Sequence, residues 1–151
     1  MDASIQLRPA ELADAAEIAR LSGELGYPVS AQVMAGRLTV ILPHPMHHIS
    51  VIAEAGVLLG WIAMERRMTL ESGERVEIVG LVVAGATRRG GVGRALVEDA
   101  ERWARTQGFD VIQVRSNVTR TESHPFYERL GYVRRKSQHV YTKPLAAADQ
   151  N

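Results

Sequence analysis

Residues 77–104, EIVGLVVAGATRRGGVGRALVEDAERWA, constrain this chain more than any other stretch. The apolar and mostly β-branched residues Ile78, Val79, Leu81, Val82 and Val83 predict a strand. A turn through Ala84, Gly85, Ala86 and Thr87 leads into a basic, glycine-rich segment, Arg88-Arg89-Gly90-Gly91-Val92-Gly93. From Arg94 the spacing predicts an amphipathic helix. Leu96, Val97, Ala100, Trp103 and Ala104 share one face, and Glu98, Asp99, Glu101, Arg102 and Arg105 the other. Strand, glycine loop and helix together aim free backbone N–H groups and the positive end of a helix dipole at one point. That point suits a phosphate or pyrophosphate. Glycine at 91 and 93 lets phosphate oxygens reach backbone nitrogen, and Arg88 and Arg89 add positive charge there.

Spacing narrows the ligand. A Walker loop needs Lys-Ser/Thr after its last glycine, whereas Arg94-Ala95 follows Gly93. A dinucleotide fingerprint needs a small residue where Leu96 stands. The stretch instead resembles motif A of the GNAT superfamily of N-acetyltransferases, an L-x-V strand followed by R/Q-x-x-G-x-G/A at a helix start. Leu81-Val82-Val83 supplies the strand, and Arg88, Gly91 and Gly93 the loop. The resemblance implies that this loop grips the pyrophosphate of acetyl-CoA. The implied cofactor contacts are Leu81, Val82, Val83, Arg88, Arg89, Gly90, Gly91, Val92, Gly93 and Arg94.

The rest of the chain reads as alternating short elements. Residues 4–8 predict a first strand, and Pro9 is expected to open a helix that reaches about Leu25. Gly26-Tyr27-Pro28 breaks it, and Ser30 is a predicted N-cap for a second helix over residues 31–42. In the superfamily the segment between these helices walls the acceptor pocket. Tyr27 is therefore either a substrate contact or a ring packed over a turn. His44, His47 and His48 lie close in sequence, but no acidic or cysteine partner stands at zinc-site spacing. A solvated loop is expected, within reach of substrate.

Residues 49–54 and 57–68 predict a hairpin around Ala55-Gly56, with Trp61 in the core. A polar turn at residues 71–75 leads into the strand over residues 76–83. Gly80 inside that strand predicts a bulge. After the long helix, Gly108 is an expected C′ residue. Residues 109–115 then predict a strand parallel to the previous one, because a helix makes the crossover.

Residues 120–132 resemble the second GNAT signature, R-x-x-A-H-x-F-Y-x-x-x-G-F/Y, through Arg120, His124, Phe126, Tyr127, Gly131 and Tyr132. Ser123 replaces its usual alanine, and Pro125 stands in the first turn of the predicted helix. Strands at 132–136 and 138–143 are expected to finish the sheet. The resemblance thus implies one domain over residues 1–151, with 146–151 a tail. It implies an α/β GNAT fold, a mixed and mostly antiparallel sheet of about seven strands flanked by about four helices. Strands four and five are expected to splay at the bulge and admit the pantetheine arm.

The same resemblance assigns roles. Tyr127 matches the tyrosine that protonates the departing CoA sulfur, and a ring packed beside Phe126 is the alternative. Glu77 matches the strand-four glutamate that serves as base, often through water, and Val79, Leu81 and neighbouring apolar residues of strand three are expected to desolvate it and raise its pKa toward neutrality. His124 and Glu65 stand in reserve as bases or substrate contacts. The Val83 N–H is expected to polarise the thioester carbonyl. Phe126 lines the cofactor, and Asn117 either holds pantetheine or caps a turn. The implied reaction moves acetyl from acetyl-CoA to a small-molecule or peptide amine, with no metal. A catalytically silent acyl-CoA sensor and another nucleotide-binding module are the competing readings.

Composition fits without deciding. With 18 Lys+Arg against 17 Asp+Glu, no broad nucleic-acid or membrane surface is indicated. Absence of cysteine excludes a thiol nucleophile and a disulfide framework. With no signal-like N-terminus and no apolar run near ~20 residues, a cytoplasmic protein is expected. Relatives often pair, which makes a homodimer a further expectation.

Overall fold

The computed structural model describes residues 4–85, 90–116 and 123–146, apart from the side chain of Ser123. The chain forms two compact units, Met1–Arg115 and Ser116–Asn151. The first carries β1 (Ile5–Pro9), a 3₁₀ turn (Leu12–Asp14), α1 (Ala15–Glu24), α2 (Ala31–Ile41), β2 (His47–Glu54), β3 (Val57–Thr69), β4 (Gly73–Val83), α3 (Val92–Thr106) and β5 (Ile112–Val114). The second carries α4 (Ser123–Arg129).

The sheet runs in the order β1-β2-β3-β4-β5. The first four strands are antiparallel, and β5 lies parallel to β4 across the α3 crossover, as expected. Register sorts the side chains onto two faces. Val51, Trp61 and Val82 are cross-strand partners on one face. There they join Ile18 and Leu21 of α1 and Met34 and Leu38 of α2 in one apolar cluster. Ile52, Ile62, Met64 and Ile78 alternate onto the opposite face, buried like Leu96, Val97 and Ala100 of α3. A Cβ at Gly60 would stand 3.0 Å from both Leu96 Cδ1 and Val92 Cγ1, so a bare residue there lets α3 approach β3 closely.

The bulge is present. Ala63 pairs with Gly80 and Met64 with Ile78, leaving Val79 as the extra residue. Gly80 has a second reason to be bare: a Cβ would stand 2.8 Å from Trp61 Cζ3. Trp61 packs against the core cluster, as expected.

Three expectations are corrected. Pro9 ends β1, opposite Ser50, and does not open a helix. Asp14 sets the turn instead: Arg8 donates to both its oxygens at 2.8 and 2.9 Å, and the Glu11 N–H donates to Oδ2 at 2.8 Å. Proline is tolerated in β1 because an edge strand has no outer ladder to lose. The second correction is that β5 has three residues rather than seven. Third, the sheet has five strands among the described residues, because residues 132–146 form none. Alternating apolar residues favour a strand, but only a ladder partner makes one, and propensity does not supply the partner.

Candidate active site

The middle of β4 is where the first unit opens. β4 pairs with β5 only at Val76, Glu77 and Ile78. Beyond the bulge its remaining residues ladder to β3 alone. The Ala84 N–H donates to the Leu59 carbonyl at 2.8 Å, on the β3 side. Successive N–H groups in a strand point to opposite sides, so the Val83 N–H points to the open side. Val82 is buried in the α1/α2 core, and Leu81 pairs with Ile62 on the other face.

The chain then reaches the start of α3. Gly91 is the N-cap, with φ 83°, a left-handed backbone that side chains rarely adopt. It brings no capping side chain, and no acid occupies the first turn. Among the described residues, the first N–H groups of α3, from Val92, Gly93 and Arg94, therefore have neither a side-chain cap from Gly91 nor a first-turn carboxylate competing for them. That is an anion-binding arrangement. The Arg94 side chain is exposed, 4.0 Å from Glu98 one turn on. Arg88, Arg89, Asn117 and Arg120 lie outside the described residues.

On the α1/α2 face, the paired section of β4 holds a network that the sequence did not reveal. Glu77 is 2% exposed. Its Oε1 accepts from Gln113 Nε2 at 3.0 Å and Arg115 Nε at 3.2 Å, and its Oε2 from Arg67 Nη1 at 3.0 Å. Arg75 in turn donates to Gln113 Oε1. Glu65 stands directly across from Glu77, and Arg67 lies between the two carboxylates, 3.4 Å from Glu65. The expectation that Val79 and Leu81 desolvate Glu77 is corrected: Val79 is 49% exposed, and Leu81 takes the other face. Burial is real, but the neighbours are guanidiniums and an amide. A pattern could have shown this: Glu65 and Arg67 on β3, Arg75 and Glu77 on β4, and Gln113 and Arg115 beside them alternate onto one face.

The expected solvated loop is corrected: His44 lies before β2, whereas His47 and His48 are the first residues of that strand and partly buried, because they pair with Glu65 and Met64 of β3. His44 accepts from the Met46 N–H at 3.1 Å, and His47 approaches Glu65 at 3.8 Å. His48 stacks on Trp103 at 5.7 Å and contacts the buried Ser50 hydroxyl at 3.1 Å. Ser50 gives its one proton to Asp99, so His48 Nε2 must be the donor to Ser50. Burial lowers the His48 pKa, against a raising pull from Asp99. Among the described residues no group of three His, Asp or Glu side chains is set to hold a metal ion. Tyr27 lies between α1 and α2 with 56% of its surface exposed.

In the second unit, α4 presents Phe126 and Tyr127 edge to face at 5.1 Å, and Tyr132 packs against Tyr127 at 5.7 Å. A Schellman turn holds Tyr132 in place: its N–H donates to the Tyr127 carbonyl, and the Gly131 N–H to Glu128. Burial pushes the Tyr127 phenol up to about 12. His124 sits one turn earlier on the same helix, partly exposed.

The class is that of a mixed α/β protein, in which a helix start without a side-chain cap, an open strand edge and a buried carboxylate occur along one strand and the helix that follows it. Residues 15–132 match the model of the acetyltransferase (GNAT) family, and the chain belongs to that family. It is 28% identical to aminoglycoside N(6')-acetyltransferase type 1 of Klebsiella aerogenes, over 96% of this chain and 100% of that protein. Aminoalkylphosphonate N-acetyltransferase of Salmonella typhimurium is 29% identical over 83% of this chain and 78% of its own length. Among solved structures, aminoglycoside N-acetyltransferase AAC(6')-Iy in complex with CoA is similar in fold, with a TM-score of 0.83. The likeness covers 93% of this chain and 95% of that one at 18% identity.

Proposed function

We propose that this chain is an N-acetyltransferase that moves the acetyl group of acetyl-CoA to a primary amine by direct attack in a ternary complex. The observation that carries this reading is the β4 edge beyond the bulge, where an unladdered N–H at Val83 precedes an uncapped helix start. One binds a carbonyl oxygen and the other a pyrophosphate. Gly90, Gly91, Val92, Gly93 and Arg94, with Arg88 and Arg89, hold the phosphates. Leu81, Val82 and Val83 line the arm, with Asn117 and Phe126. Both units act as one catalytic domain, in the cytoplasm.

The neutral amine attacks the thioester carbon, and the Val83 N–H stabilises the oxyanion that forms. Glu77 accepts the proton released from nitrogen, directly or through water. Its two guanidiniums and Gln113 hold the carboxylate in one orientation. The C–S bond then breaks, and Tyr127 protonates the departing sulfur. A phenol pushed up to about 12 is fully protonated at neutral pH, as a proton donor must be. Glu65, Tyr27 and His124 contact the acceptor. Both curated relatives named above acetylate small amine-bearing molecules by name, which favours a small-molecule acceptor.

The test is an amine panel with acetyl-CoA, released thiol being trapped by a dye, on wild type and Tyr127→Phe. The substitution keeps the ring packing and removes the hydroxyl. Acetyl-CoA binding should hold while turnover falls by about 10² or more. Equal turnover would reduce Tyr127 to a packing residue. Tight acetyl-CoA binding with no turnover on any amine would identify a sensor instead.

A further inference from the structure

Glu65 and Arg67 on β3 and Arg75 and Glu77 on β4 alternate onto one face of the sheet, the face of α1 and α2. Register sets like against like: Glu65 stands opposite Glu77, and Arg67 opposite Arg75. Like charges directly across a ladder destabilise it. Exchanging the residues at positions 75 and 77 would make both pairs opposite in sign, so sheet stability does not favour this order. Rules of local stability are broken chiefly at functional sites.

The side chains balance these charges unevenly. Arg67 bridges both carboxylates, 3.4 Å from Glu65 and 3.0 Å from Glu77, and Arg115 donates to Glu77 at 3.2 Å. Two carboxylates thus meet two guanidiniums. Arg75 is the third guanidinium, and among the described residues its one hydrogen bond goes to the neutral amide of Gln113. That bond uses one of the five N–H groups of a fork that matches a carboxylate or phosphate. Arg75 is only partly buried, so a small solute can reach it. Along the strands a carboxylate row is therefore followed, about 7 Å further on, by a guanidinium row with one charge in excess. We propose that this face binds a small amine that also carries an oxyanion, a carboxylate or a phosphate. The amine lies at Glu65 and Glu77 and the oxyanion at Arg75. As the acceptor, such a molecule rests on the transferase reading above, and Arg75 is then the residue that selects among amines. A polycationic amine would instead set its second charge against Arg75.

Calorimetry on the full chain saturated with CoA tests this face without requiring turnover. γ-Aminobutyrate should bind at least about tenfold more tightly than n-butylamine, or phosphoethanolamine than ethanolamine. The acid that shows the preference names the oxyanion, and added salt should shrink it. Arg75→Gln should abolish the preference, and Arg75→Lys should restore part of it. Each preference is a ratio within one variant, so a general change in fold or affinity cancels. In turnover with acetyl-CoA the same ratio should appear in KM rather than in kcat. A binding preference without turnover on any amine overturns the transferase reading and upholds the subsite. Turnover without a preference, tighter binding of spermidine than of either acid, or a preference that survives Arg75→Gln overturns the subsite and leaves the transferase.

Discussion

The two ends of β4 are held differently. At residues 76–78 the strand has ladders on both sides, to β3 and β5, and its one buried carboxylate is gripped by three side chains. At residues 80–83, among the described residues, only β3 pairs with it. The first arrangement makes a charged group rigid. The second leaves main-chain hydrogen-bonding groups without a ladder partner among the described residues. One strand offers both because the β5 ladder stops where the bulge begins, so the change from structure to site takes about two residues.

The largest expected effect comes from spoiling the helix start into which the open end leads. Gly91→Glu replaces a residue at φ 83° and puts a carboxylate where the pyrophosphate is proposed to sit. Acetyl-CoA at about 100 times its dissociation constant stabilises a binding-competent protein by about 2.7 kcal/mol. In a thermal-shift assay the variant should lose that protection completely. Full protection would remove the start of α3 from the site.

Next comes the closed end. Glu77→Gln keeps the size of the side chain and an oxygen to accept from Gln113 or Arg67, but removes the proposed base. Turnover should fall by roughly 10²–10⁴-fold with acetyl-CoA affinity retained. Wild-type turnover would hand the proton to water or His124 and make the Glu77 network purely structural.

The smallest effect lies at the boundary. Gly80→Ala drives a methyl to within 2.8 Å of the Trp61 ring, so ring or strand must shift. A cost of about 1–3 kcal/mol is expected in urea denaturation, and Trp61→Phe in the same chain should recover part of it. A neutral Gly80→Ala would mean that the bulge does not depend on close ring packing.

Parts of this were legible because their causes are local. Gly80 announced a bulge, and Ser30 announced the start of α2, where its hydroxyl accepts from the Val33 N–H at 3.0 Å. The glycines before α3 announced a backbone that side chains resist. Pro9 misled because its φ suits a helix start equally well as an edge strand. The deciding contact, Arg8 on Asp14, bridges six positions and has no local signature. The surroundings of Glu77 were less legible still. A window along β4 contains Val79 and Leu81, whereas the groups that reach the carboxylate come from β3 and β5.

The sequence by itself therefore determined the glycine-opened helix start, the antiparallel hairpins, the bulge and the aromatic pair on α4. Each follows from φ preferences, periodicity or a cap within a few residues. Only the tertiary structure decided that Glu77 is clamped by Arg67, Gln113 and Arg115. It also decided that the β5 ladder stops at Ile78, and that residues 132–146 form no strand. Ion pairs and ladders join groups tens of positions apart, 36 between Glu77 and Gln113. Such contacts depend on which strands become neighbours, which no single stretch of sequence encodes.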